Sequence, residues 1–327
     1  MSKSGDKINY MLRPAKSIER KLIKDSLTGV VQNFGQEKYK YIGFGSKYFA
    51  DFLYFHRHLH INEMISIEVD SSNSKVYEFN KPFSCVELKF GHSNDILPEL
   101  DLSCPVIVWL DYDGVFDRTI TEDIVNLFSR CSSGSVIIVS YNSRPFKIGE
   151  LQAEFDSSST KGLIQRALSQ RVGEEAIPYQ FNEKGLGKWE AFSKLIKKIA
   201  DNHIHKAIGD RNVGEQDPFK YQQMFYFDYK DGVEMSTIGG IVYKNSDEDK
   251  WLSSCSHKYS FVRAHDERCL IEIPALTSKE ARELLAHTPI DSDKIRNLKR
   301  GGVFKEKDIM KFNEFYKYYP SYSEIEL

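Results

Sequence analysis

Hydrophobic positions fall into two spacings along this chain. Five compact apolar runs, at 39–44, 64–70, 83–90, 105–110 and 135–141, are rich in aliphatic and aromatic residues and have the length of buried strands. Between them the spacing becomes helical. Tyr48, Phe49, Phe52 and Leu53 follow the first run, a helix is predicted over 71–82 up to Pro82, and another over 121–128. Trp189, Phe192, Leu195, Ile196 and Ile199 give 188–200 the pattern of an amphipathic helix. Two further strands, 222–229 and 235–243, flank Lys230-Asp231-Gly232, a hairpin-compatible turn. Alternating strand and helix signals closed by a hairpin predict an α/β fold: a mostly parallel sheet with a terminal antiparallel hairpin.

The ends follow other rules. Residues 1–9 are polar and expected to fray. A helix is predicted over 10–27, with Pro14 near its start and Ile18, Leu22, Ile23 and Leu27 on one face. Arg13, Lys16, Arg20 and Lys21 make its polar surface basic, so it either covers a site opening or solvates a packed helix. Residues 149–172 read as a charged, partly helical insertion. Beyond about residue 249 the pattern changes, with short strands at 261–262 and 270–273 and a helix at 277–285 capped by Thr277 or Ser278. The expected organisation is an N-terminal helical segment (1–29), a main domain (30–249) and a small C-terminal α+β region (250–327).

Charge narrows the choice of partner. Forty-five Lys and Arg against 47 Asp and Glu leave a net charge of −2, which excludes a uniformly basic surface but not a local one. Lys294, Arg296, Lys299, Arg300, Lys305 and Lys307 form such a local group, suited to phosphate or simply solvated. Tyr316, Tyr318, Tyr319 and Tyr322 could stack on a ligand or anchor the tail. No apolar stretch is long enough to span a bilayer and no secretory apolar core follows the N-terminus, so a cytoplasmic protein without a membrane partner is expected. The five cysteines form no CxxC pair. Cys255, His257, His265 and Cys269 offer one tetrahedral zinc alternative, but without the paired spacing of zinc fingers, and the expectation is no metal.

Candidate chemistry clusters at strand ends. Gly43 and Gly45, followed by Ser46, make a strand–glycine turn–helix junction suited to a nucleotide-type ligand, although Tyr48 stands where the full dinucleotide fingerprint needs a third glycine. Glu68, 23 residues beyond Gly45, ends the second strand and could accept hydrogen bonds from both hydroxyls of a ribose. Asn94 and Asp95 follow the third strand, where Ser93 or Asn94 could cap a helix or the loop could meet an adenine. Asp111-Tyr112-Asp113-Gly114 places two carboxylates after the most apolar strand; each charge there needs solvent, a donor or a cation. Magnesium binding, acid–base chemistry, ligand positioning and a plain turn all remain open at this point. Tyr141 and Asn142 would lie at the carboxyl end of the fifth strand.

Taken together, LRPAKSIERKLI at 12–23, YIGFGSKYFADF at 41–52 and MISIEVD at 64–70 resemble uncharacterised bacterial O-methyltransferase-like proteins. More broadly, residues 30–245, hairpin included, resemble class I S-adenosylmethionine-dependent methyltransferases with a Rossmann-like sheet. The resemblance implies S-adenosyl-L-methionine as cofactor, with Gly43, Gly45 and Ser46 in the cofactor loop, Glu68 on the ribose and Asn94 or Asp95 near adenine. It places Asp111 to Gly114 near the methionine end and the acceptor. Methyltransferases acting on base nitrogens resemble Asp-Pro-aromatic-Gly in this loop; here Tyr112 and Asp113 replace the two middle residues, which weakens an amine acceptor. On this reading Asp111 positions the acceptor, Asp113 acts as general base, orients a hydroxyl or binds a divalent ion, Tyr112 packs on a planar substrate, and Tyr141 and Asn142 are neighbours. The acceptor would be a small molecule or a nucleic acid. Two other readings compete: a nicotinamide-dependent oxidoreductase, and a catalytically inactive protein of the same fold that binds nucleic acid or a protein partner.

Overall fold

The computed structural model describes residues 13–319. The expectations for 1–9, for the first residues of the predicted N-terminal helix and for Tyr322 lie outside them. The chain opens with α1 (Pro14–Phe34), β1 (Lys40–Gly43), α2 (Ala50–Leu59), β2 (Glu63–Glu68), α3 (Ser74–Asn80), β3 (Val86–Phe90) and α4 (Ser93–Ile96). Next come β4 (Val106–Val115), α5 (Arg118–Arg130), β5 (Ser135–Asn142), α6 (Ile148–Glu154), α7 (Leu163–Val172) and α8 (Trp189–Arg211). The hairpin of β6 (Phe219–Lys230) and β7 (Glu234–Lys244) precedes α9 (Glu248–Ser253), β8 (Cys269–Ile271), α10 (Ser278–Ala286), α11 (Ser292–Arg300) and α12 (Glu306–Phe315).

The eight strands of the described residues form one sheet in the order β3-β2-β1-β4-β5-β7-β6-β8. β7 alone runs against its neighbours, pairing antiparallel with both β5 and β6. This is the mostly parallel sheet with a closing hairpin, Rossmann-like in kind, that the hydrophobic pattern predicts.

Period-two alternation divides the core between the two faces. Val106, Val108, Leu110, Ile137, Val139 and Tyr141 pack with Ile124 of α5, Leu168 of α7 and Ile196 of α8. The intervening Ile107, Trp109, Val136 and Ile138 pack with Ile18 and Leu22 of α1 and with Phe52 and Phe55 of α2. Each such side chain withdrawn from water contributes about 1.5–3 kcal/mol, so strand register is fixed by both faces at once.

Three local expectations need correction. The dipeptide 261–262 is turn rather than strand, because Val262 N–H bonds back to Tyr259 O. β8, expected within the small C-terminal α+β region, pairs parallel with β6 as an edge strand of the main sheet, and the regular elements described after it are helical. Leu284, Ile290, Phe304, Ile309 and Phe312 give α10 to α12 a small apolar cluster of their own. Thr277 caps α10 through a reciprocal capping box with Glu280, as its sequence predicts. Finally, Asp111 to Gly114 are not a turn after the strand. β4 continues through them, and three of its residues, 112 to 114, oppose only Tyr141 between the Asp111–Ser140 and Val115–Asn142 pairs. This bulge swings the acidic segment out of the ladder.

α1 is held at its start by the hairpin turn. Asp231 accepts hydrogen bonds from the backbone N–H groups of Lys16 (2.9 Å) and Ala15 (3.4 Å), satisfying two donors that a helix N-terminus leaves without internal partners. Among the described residues no helix is long and apolar enough to cross a membrane.

Candidate active site

A cavity of about 530 Å³ opens at the carboxyl edge of β1, β2 and β4. Gly45, Ser46, Glu68, Asp111, Tyr112 and Asp113 all line it. Residues from three separate strand ends therefore share one wall system, the placement expected of a ligand site on a parallel sheet.

The loop after β1 achieves this through close packing. A side-chain carbon on Gly45 would lie 2.5 Å from the Phe49 ring and 2.7 Å from Ser66 Oγ. One on Gly43 would meet Tyr41 Oη at 2.6 Å and the Trp109 carbonyl at 3.1 Å. The missing side chains thus admit protein rather than ligand, and Gly43 itself does not line the cavity. Ser46 and Phe49 both take left-handed backbone angles (φ 48° and 46°), a strained arrangement for non-glycine residues, and α2 begins only at Ala50. The expected helix opening at Ser46-Lys47 is therefore displaced by one turn.

Ser66 ties this loop to the acidic strand end. Its Oγ accepts from the Gly45 N–H (2.9 Å) and donates to Glu68 Oε1 (2.8 Å). Glu68 is buried yet borders the cavity. A hydroxyl inside the apolar run 64–67 is the one sequence signal that marks Ser66.

The other wall is organised by α1. Lys16 Nζ lies 2.7 Å from Asp111 Oδ1, 2.9 Å from Glu19 Oε2 and 3.2 Å from Tyr229 Oη, and sits 4.5 Å above the centre of the Trp109 ring. Its contact with Glu19 is one of charge rather than an aligned hydrogen bond. Burial opposes the lysine's charge, but Asp111 and Glu19 outweigh it and hold the ammonium well above its ordinary range. Burial pushes the Glu19 carboxyl up, against the pull of Lys16. Glu19 also accepts from Thr237, which bonds Ser140 Oγ (2.6 Å), which in turn accepts from Trp109 Nε1 (2.9 Å). One turn further along α1, Arg20 Nε donates to Asp51 of α2, and both side chains reach the cavity. Of the two alternatives for this basic helix, the geometry favours the cover over a solvated face.

Other candidates are placed elsewhere. Asn94 turns from the cavity toward α5, donating to Thr119 O (3.1 Å) and Asp123 Oδ1 (2.7 Å), and Asp95 is exposed outside the lining; His92 and Ser93 occupy the wall instead. Neither Ser93 nor Asn94 caps α4, whose N-cap is His92 without a side-chain bond. Tyr141 is fully buried against Phe116 (ring centres 4.9 Å apart), on the face opposite α1. Asn142 Oδ1 accepts from the Arg144 N–H at 3.0 Å. Neither lines the cavity, so their expected substrate contact is not supported by position. Tyr112 does line it, with its ring edge-on to Phe44 at 5.1 Å and its hydroxyl donated to Asp123. Among the described residues no group of three or more His, Cys, Asp or Glu is placed to hold a metal; Cys269 is buried in β8 while Cys255 is exposed. In the basic C-terminal group, Lys299 pairs with Glu306 at 2.7 Å and Arg296 with Asp293, so part of its charge is neutralised locally.

A family model described as "Putative O-methyltransferase" matches residues 8–327. The chain belongs to this family. No curated protein matches the chain. Among solved structures, this O-methyltransferase-family chain is similar to Trm1 from Pyrococcus horikoshii in complex with S-adenosyl-L-methionine, at 8% identity and a TM-score of 0.45 over 72% of the chain. It spans 57% of that protein's length. It is also similar to an O-methyltransferase-like protein from Klebsiella pneumoniae (13% identity, TM-score 0.36) and to the O-methyltransferase TomG from Streptomyces achromogenes (13%, TM-score 0.35). Each of these two alignments covers 68% of this chain and 80% of the other.

Proposed function

We propose that this family member transfers a methyl group from S-adenosylmethionine to a hydroxyl of a small-molecule or nucleic-acid acceptor. The observation that carries the reading is the shared cavity: buried Glu68 at the end of β2 and Asp111 at the start of the β4 bulge face one space, with Gly45 after β1. The residues present fit the cofactor. A carboxylate at Glu68 suits the two donors of a ribose diol, and Val69 and Val76 are exposed apolar residues on the same wall, suited to a nucleobase face. The family description favours oxygen as the acceptor atom.

When bound, the cofactor supplies an electrophilic methyl on a sulfonium. The chain's own work is to orient an acceptor in line and exclude competing water. Asp111, tied to Lys16, is suited to positioning, because its charge is already matched. Asp113 is exposed at the cavity margin and is the carboxylate suited to accept or orient the acceptor's hydroxyl proton. Tyr112, its hydroxyl donated to Asp123, offers a fixed ring to a planar acceptor. An inactive scaffold is opposed by the cavity's reach to Asp111, and family membership favours a methyl donor over a nicotinamide.

Calorimetric titration with S-adenosylmethionine and, separately, NAD tests the reading, each with the native protein and Glu68→Ala. Saturable S-adenosylmethionine binding, weakened by the substitution and unmatched by NAD, is expected. Folded native protein that binds no S-adenosylmethionine would sink it.

A further inference from the structure

The cavity is bordered by more negative charge than positive. Asp51, Glu68, Asp70, Asp111 and Asp113 line it against Arg20 and Lys47, so carboxylates stand in excess by three, with histidine counted as neutral at pH 7. Lys16 and Glu19 lie behind Asp111, outside the lining and 2.9 Å from each other. If Glu19 is charged the two cancel; if burial holds its proton, Lys16 offsets one carboxylate of the excess and no more. S-adenosylmethionine brings a sulfonium and an ammonium against a single carboxylate, so the wall stays acidic once the donor is seated. Asp113 is exposed at the margin and is met by a molecule on its way in.

From this we infer that the wall selects the acceptor by charge: the acceptor is a small planar hydroxyl compound, neutral or cationic, and nucleic acid does not enter. The inference rests on the methyl-transfer reading above and narrows its acceptor, with Asp113 as the residue that sets the preference. A phosphodiester chain is held by Lys and Arg side chains that replace its counterions. Here Arg20 is matched by Asp51, and none of the basic residues at 294–307 lines the cavity. Size points the same way. A space of about 530 Å³ suits one drug-sized ligand, so the seated donor leaves the acceptor room for little more than a ring. Phe44, Tyr48 and Tyr112 offer that ring aromatic faces. During transfer the acceptor oxygen gains the methyl carbon, the donor sulfur keeps the bonding pair and becomes neutral, and the hydroxyl proton passes to a carboxylate.

The test uses three phenols of one shape and different charge: tyramine (cationic), tyrosol (neutral) and 4-hydroxyphenylacetate (anionic). Saturation-transfer NMR titrations measure each against the full chain loaded with S-adenosylhomocysteine, which detects weak binding without requiring turnover. Attraction of the cation and repulsion of the anion, each at the strength of an exposed pair, together give tyramine an advantage of about 3- to 30-fold over 4-hydroxyphenylacetate, with tyrosol between them. The advantage should shrink with added salt. It should fall in Asp113→Asn and further in Asp113→Lys, but not in Glu215→Lys, a charge reversal at an exposed residue outside the lining. A single-stranded oligonucleotide should not displace tyramine. Equal or tighter binding of the anion, displacement by the oligonucleotide, or an advantage that Asp113→Lys leaves untouched would overturn the inference. So would the failure of all three phenols to bind a protein that binds S-adenosylmethionine, and each of these results leaves the donor reading intact. A folded native protein that binds neither S-adenosylmethionine nor S-adenosylhomocysteine would overturn both.

Discussion

Lys16 Nζ meets Asp111 Oδ1 at 2.7 Å, joining the cover helix to the acidic bulge of β4 across 95 residues of chain. Removing the lysine leaves Asp111 and Glu19 as neighbouring carboxylates without their common cation. Breaking a buried pair from one side costs about 3–5 kcal/mol, so Lys16→Met should lower the urea midpoint steeply. Lys16→Met/Asp111→Asn should regain much of the loss. A single-variant cost below about 1 kcal/mol, the range of exposed pairs, would show that the contact is not energetically buried.

The Glu19 carboxyl gives a pH dependence with a defined sign. Burial raises it above its ordinary value of 4.5, so the folded protein keeps this proton at a pH where the unfolded chain has released it. Its stabilising contribution is complete below the unfolded value and is lost as pH rises through the folded one. Thermal or urea unfolding from about pH 5 to about pH 8 should therefore show the native protein losing ground to Glu19→Gln. A constant difference between the two would contradict the raised carboxyl.

Two glycines at the cavity separate packing from freedom. Gly45→Ala forces a carbon against Phe49 and Ser66 and should cost about 1–3 kcal/mol. By displacing Ser66, which also bonds Glu68, it should weaken S-adenosylmethionine binding as well. At Gly114 nothing lies within 4 Å of an added carbon, and Gly114→Ala should stay within about 0.5 kcal/mol of the native protein. Equal effects at the two positions would show that the loop yields freely.

Asp231→Ala tests the tie between hairpin and cover helix. Loss of a helix-capping carboxylate costs about 1 kcal/mol. Hydrogen exchange should report it locally, as faster exchange at the Ala15 and Lys16 amides, with the β1 amides unchanged.

The parts of the site that the sequence made legible are those set by local rules. Glu68 and Asp111 each close an apolar run, and an ionisable residue in that place is visible in one dimension. Arg20, Asp51 and Ser66 were not legible as site residues, because each depends on a partner from another element: Arg20 on α2, Asp51 on α1, Ser66 on the loop after β1. Tyr141 lies away from the cavity for a related reason. It shares the parity of Ile137 and Val139, but parity alone does not say which face of the sheet the cavity adjoins. Asn94 turns from the cavity because Asp123, 29 residues away on α5, takes its amide. Periodicity gave β4 as far as Leu110; the bulge that carries Asp111 to Gly114 onward appears only with the register of β5.

The carboxylate that anchors the start of α1 arrives 215 residues after Lys16. In the order of synthesis, the helix that supplies Lys16 and Arg20 is made before every strand of the sheet, yet its mooring is made after six of those strands and all of α8. The cavity wall is thus a late event in the life of each molecule. A nascent chain stopped short of the hairpin holds Glu68, Asp51 and Asp111 already in hand, but no fastening for the first turn of the helix that faces them.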